Sequence, residues 1–371
     1  MLINDKLFES LSPLFKTSRV LGLCPGTYRR QHNIHNVLWS RKTYICGVSL
    51  TSLLVCWSVW GFVKDMTAAS FLTLGFQGSI DFFIASFDFS EVVAAAFYFI
   101  VSIPFKARSV CRIVDNFNKI DLLLGDTSVD CVRKRVICFS VFMVVLYVLD
   151  LFMWGNNSWE GFNNYCPFYI LYCVVIAHQV QYWHLVNLLR RRLYMMNSAI
   201  KTNLDWNVPF TSIGRTVQIY DLVCDSVDEI NKCFGVSITI ILFSCYVHLA
   251  LNPYMLFVIA SNNDKNIFSY VYFLWIFVHI FRLMAIIEVC HSFSEESKKT
   301  GRLVFKLLCS CQDNDAKNEM RTFIFMLTKT KIKFSSYALP KISRLLIPNM
   351  IASISTYWMI LLQFSRRAVH L

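Results

Sequence analysis

The chain has 371 residues, of which 56% are hydrophobic and 15% aromatic, and a mean hydropathy of +0.47, too apolar for an ordinary soluble domain. Its 14 cysteines are scattered without a repeating spacing, which excludes a disulfide scaffold or a zinc module and leaves buried or reduced thiols. A formal charge of +12 remains to be placed.

Residues 1–42 are polar and basic, and they show no apolar core with a small-residue cleavage site, so no cleavable signal peptide is expected. Residues 43–63 form the first stretch long and apolar enough to span a bilayer, followed by a short loop with Lys64 and Asp65. The second, 82–104, is unusual in carrying Asp88 and Glu91. A basic loop ending in Arg133-Lys134-Arg135 leads to spans three, 136–155, and four, 165–187, joined by a brief segment containing Asn156. Arg190-Arg191-Arg192 opens a long polar region to about Phe234. Spans five and six are 235–260 and 267–290; residues 291–345 are charged and partly helical, and 346–364 is the last span. Cys309-Ser310-Cys311 is the one close thiol pair, and with no second pair beside it no metal site is expected.

Basic residues choose the orientation of seven spans. With the N-terminus inside, residues 1–42, 105–135, 188–234 and 291–345 are cytoplasmic and hold 31 of the 36 Lys and Arg. Lys64, Lys265, Arg366 and Arg367 fall outside and Arg282 lies within span six. The positive charge therefore belongs to inner-leaflet electrostatics, with no nucleic acid as partner. Asn156-Asn157-Ser158, a glycosylation sequon, falls in an outer loop on the same reading. An N-inside, C-outside chain is inverted relative to G-protein-coupled receptors, and no Asp-Arg-Tyr-like triplet follows span three. No phosphate-binding glycine loop, His-Glu-x-x-His or nucleophile elbow is present, so no enzyme is expected.

Polar residues inside spans mark function by default, because lipid cannot solvate them. Asp88 and Glu91 are three residues apart and share a helical face. Asp150 lies toward the outer end of span three, Tyr165, Tyr169 and Tyr172 recur at i, i+4 and i+7 in span four, and His248 and Asn252 sit in span five. Tyr272, Trp275, His279 and Arg282 follow one face of span six. Aromatic walls with a few convergent polar groups suit a small-molecule pocket, for which Asp88, Glu91, Asp150, Tyr169, Tyr172, His248, Trp275 and His279 are the candidates. Packing between helices is the alternative role for each aromatic, and for Arg282 pairing with a carboxylate or with carbonyls.

The last span carries a polar stripe. Asn349, Ser353, Thr356, Ile360 and Gln363 recur at steps of four and three, while Ile351, Ile354, Trp358, Leu361 and Leu362 lie opposite. Thr356-Tyr357, five apolar residues and Gln363-Phe364 give a T-Y-h-h-h-h-h-Q-F pattern that resembles the C-terminal signature of insect gustatory receptors, a family related to insect odorant receptors. The resemblance implies an all-α membrane protein of seven transmembrane helices. It would be a homotetramer or a heterotetramer with other gustatory receptors, its seventh helix lining one central pore. It implies a ligand-gated, non-selective channel for monovalent and divalent cations, opened by a small-molecule tastant, in the plasma membrane of sensory neurons, without a cofactor. Gln363 and Phe364 would then stand at the pore constriction with Thr356 and Tyr357 packing beside it. Periodicity adds Ser353 and Ile360 to the same lining. Residues 1–42 would be a cytoplasmic segment, 43–345 a six-helix ligand-binding and anchor region with long cytoplasmic loops, and 346–371 the pore helix with an extracellular tail. Sugar receptors of the family carry Glu after Thr-Tyr where this chain has Trp358, which favours a bitter or other non-sugar tastant. A non-conducting accessory subunit and a secondary transporter are the alternatives.

Overall fold

In a computed structural model, residues 2–23, 26–31, 34–67, 79–125, 159–205, 213–261, 268–330, 332–339 and 341–369 are described, with five positions between 137 and 148. These residues are mostly helical, with a non-helical stretch over 332–339 and 341–343 and a small N-terminal sheet that the basic composition of residues 1–42 did not announce. Strands β1 (Leu2–Asn4), β2 (Gly26–Gln31) and β3 (Ile34–Trp39) pair antiparallel in the order β1-β3-β2, with Leu2 opposite Asn36 and Gly26 opposite Trp39. Helix α1 (Asp5–Val20) buries Leu7, Leu11, Leu14 and Phe15 on one stripe and accepts at Ser18 Oγ a hydrogen bond of 2.6 Å from Gln181 Nε2.

Helix α2 (Arg41–Thr67) is built the other way round, with Ile45, Leu53, Trp57 and Trp60 exposed and Thr51 and Ser58 buried. That inversion fits a helix in lipid, where helix interfaces rely on small and polar residues. Gly61 shows why: a Cβ there would lie 2.7 Å from the backbone oxygen of Asn164, so the two helices meet at backbone distance only through glycine. Helices α3 (Ser79–Val101) and α4 (Ile103–Leu124) follow, bent by 62° at the break before Pro104, and Gly125 closes α4 in the left-handed region. Of the expected third span, Ile137, Val141, Val144, Val145 and Val148 are helical and exposed. Asp150 and Asn156 lie outside the described residues.

Three long helices make the body: α5 (Trp159–Asp205), α6 (Ile213–Ser261) and α7 (Phe268–Ser310). The polar region 188–234 is largely a helical continuation of the spans, residues 291–345 are partly helical as expected, and the stretch after 104, read as a basic loop, is helical to Leu124. Their buried residues explain this. Val223, Val227, Ile230, Phe234, Ile238, Ile241 and Cys245 form one seam along α6, crossing from polar into apolar sequence without a break in period. On α7 Phe293, Thr300, Val304 and Leu307 prolong the buried face beyond the apolar stretch. Asn197 Nδ2 donates to the Glu296 carboxylate at 2.9 Å and Thr300 Oγ1 donates to Asn197 Oδ1 at 2.8 Å, joining α5 to α7 in this lower half.

Arg192, the third of the arginine run, leaves the solvated set. Its Nε and Nη2 donate to the two carboxylate oxygens of Asp121 on α4, each at 2.8 Å, and its guanidinium carbon lies 4.4 Å from the Phe117 ring centroid. Helix α8 (Asn314–Lys329), capped by Asp313, packs on α7 and α6. An extended segment then runs along α6, where Asn231 holds the Lys333 carbonyl at 2.8 Å and the Ser335 amide at 3.1 Å. Arg344 pairs with Glu288 before α9 (Leu346–Val369) begins, and α9 packs against α6. By length and apolarity, Arg41–Lys64, Ile213–Phe257 and Tyr272–Ser310 can each cross a bilayer, and α3 with α4 forms a fourth, bent candidate among the described residues.

Candidate functional site

The polar residues of four spans meet in one cluster. Asp88 and Glu91 project from α3 on one face, as their spacing requires. Asp88 Oδ1 lies 2.7 Å from Nε2 of His248 on α6. The other ring nitrogen, Nδ1, lies 2.8 Å from the Ser244 carbonyl. A carbonyl only accepts, so Nδ1 carries a proton and fixes the ring. Face to face on His248, with centroids 4.0 Å apart and planes 15° apart, is His279 of α7. Both ring nitrogens of His279 are buried without a hydrogen-bond partner among the described residues, as is Glu91 Oε2.

One turn from His279 on each side, α7 carries Trp275 and Arg282. The Trp275 ring lies 5.7 Å from His279 and 5.4 Å from Tyr172 of α5. Arg282 is fully buried; its Nη1 donates to the Tyr172 hydroxyl at 2.6 Å and its Nε to Gln179 Oε1 at 2.9 Å. Gln179 returns a hydrogen bond of 3.0 Å to the Arg282 carbonyl, so α5 and α7 are locked in register here. The partners shown for the Arg282 guanidinium are a phenol and a side-chain amide oxygen. Tyr169 is buried behind this wall against Phe168, which continues through Phe89 to Phe62 as a run of stacked rings from α5 to α2.

Of the eight pocket residues read from the sequence, Asp88, Glu91, Tyr172, His248, Trp275 and His279 are brought together and Tyr169 lies beside them. Asp150 falls outside the described residues. Sequence reading missed Gln179. A signal existed, because Gln179 is seven residues from Tyr172 and lies on the same helical face.

The last helix shows two sides. Trp358 Nε1 donates to the Ala250 carbonyl of α6 at 2.8 Å, and Ser353 Oγ lies 2.7 Å from the Tyr246 hydroxyl. Met350 is buried on the same side. Thr356, Ile360 and Gln363 are exposed, together with Ile351, Tyr357 and Met359. Ser353, also exposed, reaches α6 from the edge of the stripe. The Phe364 side chain lies outside the described residues. Trp358 is a packing residue of α9 on α6 and makes its hydrogen bond there, so its identity carries no information about the polar cluster. Tyr246 and Ala250 lie two residues before and after His248, so α6 touches the cluster and α9 at one level.

A family model described as 7tm Chemosensory receptor matches residues 11–366. The Drosophila melanogaster gustatory receptor for sugar taste 43a is 24% identical to the chain, the match covering 95% of this chain and 97% of that protein. The putative gustatory receptor 28b of the same species is also 24% identical, over 48% of this chain and 40% of its own length. Among solved structures, the insect olfactory receptor OR5 from Machilis hrabei superposes with a TM-score of 0.68 at 11% identity, covering 96% of this chain and 98% of that one. The same receptor in complex with eugenol gives 0.67 at 12% identity.

Proposed function

The chain belongs to the 7tm chemosensory receptor family, and from that premise we propose that it is a contact chemoreceptor acting as a ligand-gated, non-selective cation channel. It crosses the plasma membrane seven times with its N-terminus in the cytosol and assembles as a tetramer whose last helix, α9, faces a central pore. The observation that carries the reading is the position of α6. His248 joins it to a buried cluster contributed by α3, α5 and α7, and Tyr246 and Ala250, two residues away, hold α9. A ligand that repositions His248 thereby acts on a helix rigidly connected to the gate.

The pocket is lined by Asp88, Glu91, Tyr172, His248, Trp275 and His279, with Gln179 and Arg282 as a further hydrogen-bonding pair. Two carboxylates, two imidazoles, a guanidinium, an amide and two aromatic rings suit a small ligand rich in hydroxyl or amine groups. The relative named for sugar taste matches nearly the whole chain, whereas the non-sugar reading rested on Trp358, which packs α9 on α6. A small polar tastant is therefore the ligand class proposed, and sugars belong to it.

The test is whole-cell current in a cell expressing this chain alone, with a panel of hexoses, amines and plant glycosides. An agonist-evoked cation current is expected, and Trp275→Ala should raise its half-effective concentration at least about tenfold with surface protein retained. Unchanged dose–response curves for both Trp275→Ala and Glu91→Ala would move the pocket elsewhere. A chain that reaches the surface and passes no current with any partner receptor would make it a non-conducting accessory subunit.

A further inference from the structure

We propose that Asp88, Glu91 and His248 form a site for a divalent transition-metal ion, with Zn²⁺ as its reference occupant, that bridges α3 to α6. Each residue offers one ligand atom, and these three atoms all lie within 4.8 Å of one another. A tetrahedral Zn²⁺ with ligands at about 2.0–2.1 Å holds them about 3.4 Å apart, so closing on the ion takes shifts of about 1 Å in three side chains.

Three observations point to an ion beyond the clustering of charge. His248 is already set as a metal-binding imidazole: Nδ1 is held by the Ser244 carbonyl at 2.8 Å, which directs Nε2 toward the carboxylates. A second-sphere acceptor on the far nitrogen is the usual support of a metal-ligating histidine. Glu91 Oε2 is buried with no hydrogen-bond partner among the described residues, an acceptor with nothing to accept from. His279 stacks over the His248 ring at 4.0 Å, and neither of its nitrogens has a hydrogen-bond partner among the described residues, which leaves it available beside the site.

Access comes from the Asp88 side, whose side chain is 41% exposed while that of His248 is 10% exposed. One imidazole with two carboxylates is a borderline donor set, suited to Zn²⁺ and its first-row neighbours, and too poor in oxygen for Ca²⁺. On binding, the proton that Nε2 shares with Asp88 leaves, and the freed lone pair goes to the metal. The ion would neutralise both carboxylates inside the bundle and replace one hydrogen bond between α3 and α6 with a three-point link. The site stands on these side chains alone and does not depend on the channel reading.

The experiment uses the purified full-length chain in detergent, stripped with a chelator and titrated with Co²⁺, whose visible absorption reports its coordination. Saturation at one ion per subunit, displacement by Zn²⁺ and no displacement by equimolar Ca²⁺ are expected. His248→Gln and Glu91→Gln should each weaken Co²⁺ binding by at least about tenfold. Size-exclusion profiles verify the fold, and if His248→Gln fails that check, Glu91→Gln decides. A Cys309→Ser/Cys311→Ser variant should bind as the wild type does. The proposal is overturned if the wild type gives no saturable spectrum, if the thiol variant loses it, or if a folded Glu91→Gln binds unchanged.

Discussion

Replacing Asp121 by Asn tests whether the lower half of the bundle is held by one buried ion pair. Asp121 and Arg192 face each other from α4 and α5 with side chains each 6% exposed, joined by two parallel hydrogen bonds of 2.8 Å. Asparagine keeps the shape and removes the charge, leaving the guanidinium buried without its carboxylate. Breaking such a pair from one side costs about 3–5 kcal/mol, whereas replacing both partners by apolar residues of similar volume is near neutral. The Phe117 ring, 4.4 Å from the guanidinium carbon, still offers a cation–π contact of about 2 kcal/mol, which places Asp121→Asn toward the lower end of that range. Thermal melting of the purified protein followed by tryptophan fluorescence is the assay, with surface expression beside it. Asp121→Asn and Arg192→Met should each melt well below the wild type, and Asp121→Leu/Arg192→Met should recover most of the loss. The reasoning is refuted if the double variant is less stable than either single one, or if Asp121→Asn melts with the wild type.

A tag at the N-terminus should be labelled only after cells are permeabilised, since the proposed topology puts 31 of 36 basic residues on its side of the membrane; labelling of intact cells would reverse that topology. Ile360→Ala should raise basal, ligand-independent current and Gln363→Ala should alter cation permeability ratios, because both are exposed on α9 within the polar stripe proposed to line the pore. Trp358→Phe, which loses the 2.8 Å bond to Ala250 and about 1 kcal/mol, should lower surface protein while surviving channels keep their permeability; the reverse assignment would mean that the pore lies on the other face. Gly61→Ala should lower thermal stability by about 1–3 kcal/mol, because its Cβ would meet the Asn164 backbone at 2.7 Å, and wild-type melting would show that α2 and α5 separate freely.

The membrane class was legible in the sequence because hydropathy is a one-dimensional signal. Every residue of a span contributes to it, whatever its neighbours in space are. The same economy exposed Asp88, Glu91, His248 and His279, since a polar residue in an apolar run is costly and visible without a partner. The end of span two at Pro104 was legible from composition, whereas the helix α4 that follows it, read as a basic loop, was not.

Partnership was not legible. Three consecutive arginines look alike in sequence, yet Arg192 is the buried one, paired with a carboxylate 71 residues earlier. The polar stretches after spans four and six are rich in charge, and they are largely helical because their apolar stripes find one another, as Asn197 finds Thr300 across 103 residues. Nor was it legible that Ser353, on the polar stripe of the last span, meets Tyr246 of α6. Residue order alone determined which stretches are long and apolar enough to span a bilayer, which residues are too polar to be there without cause, and which helical faces they share. Tertiary structure decided which of those faces meet, because burial and pairing are free energies between segments a hundred residues apart, and a helix's period fixes its faces but not what they face.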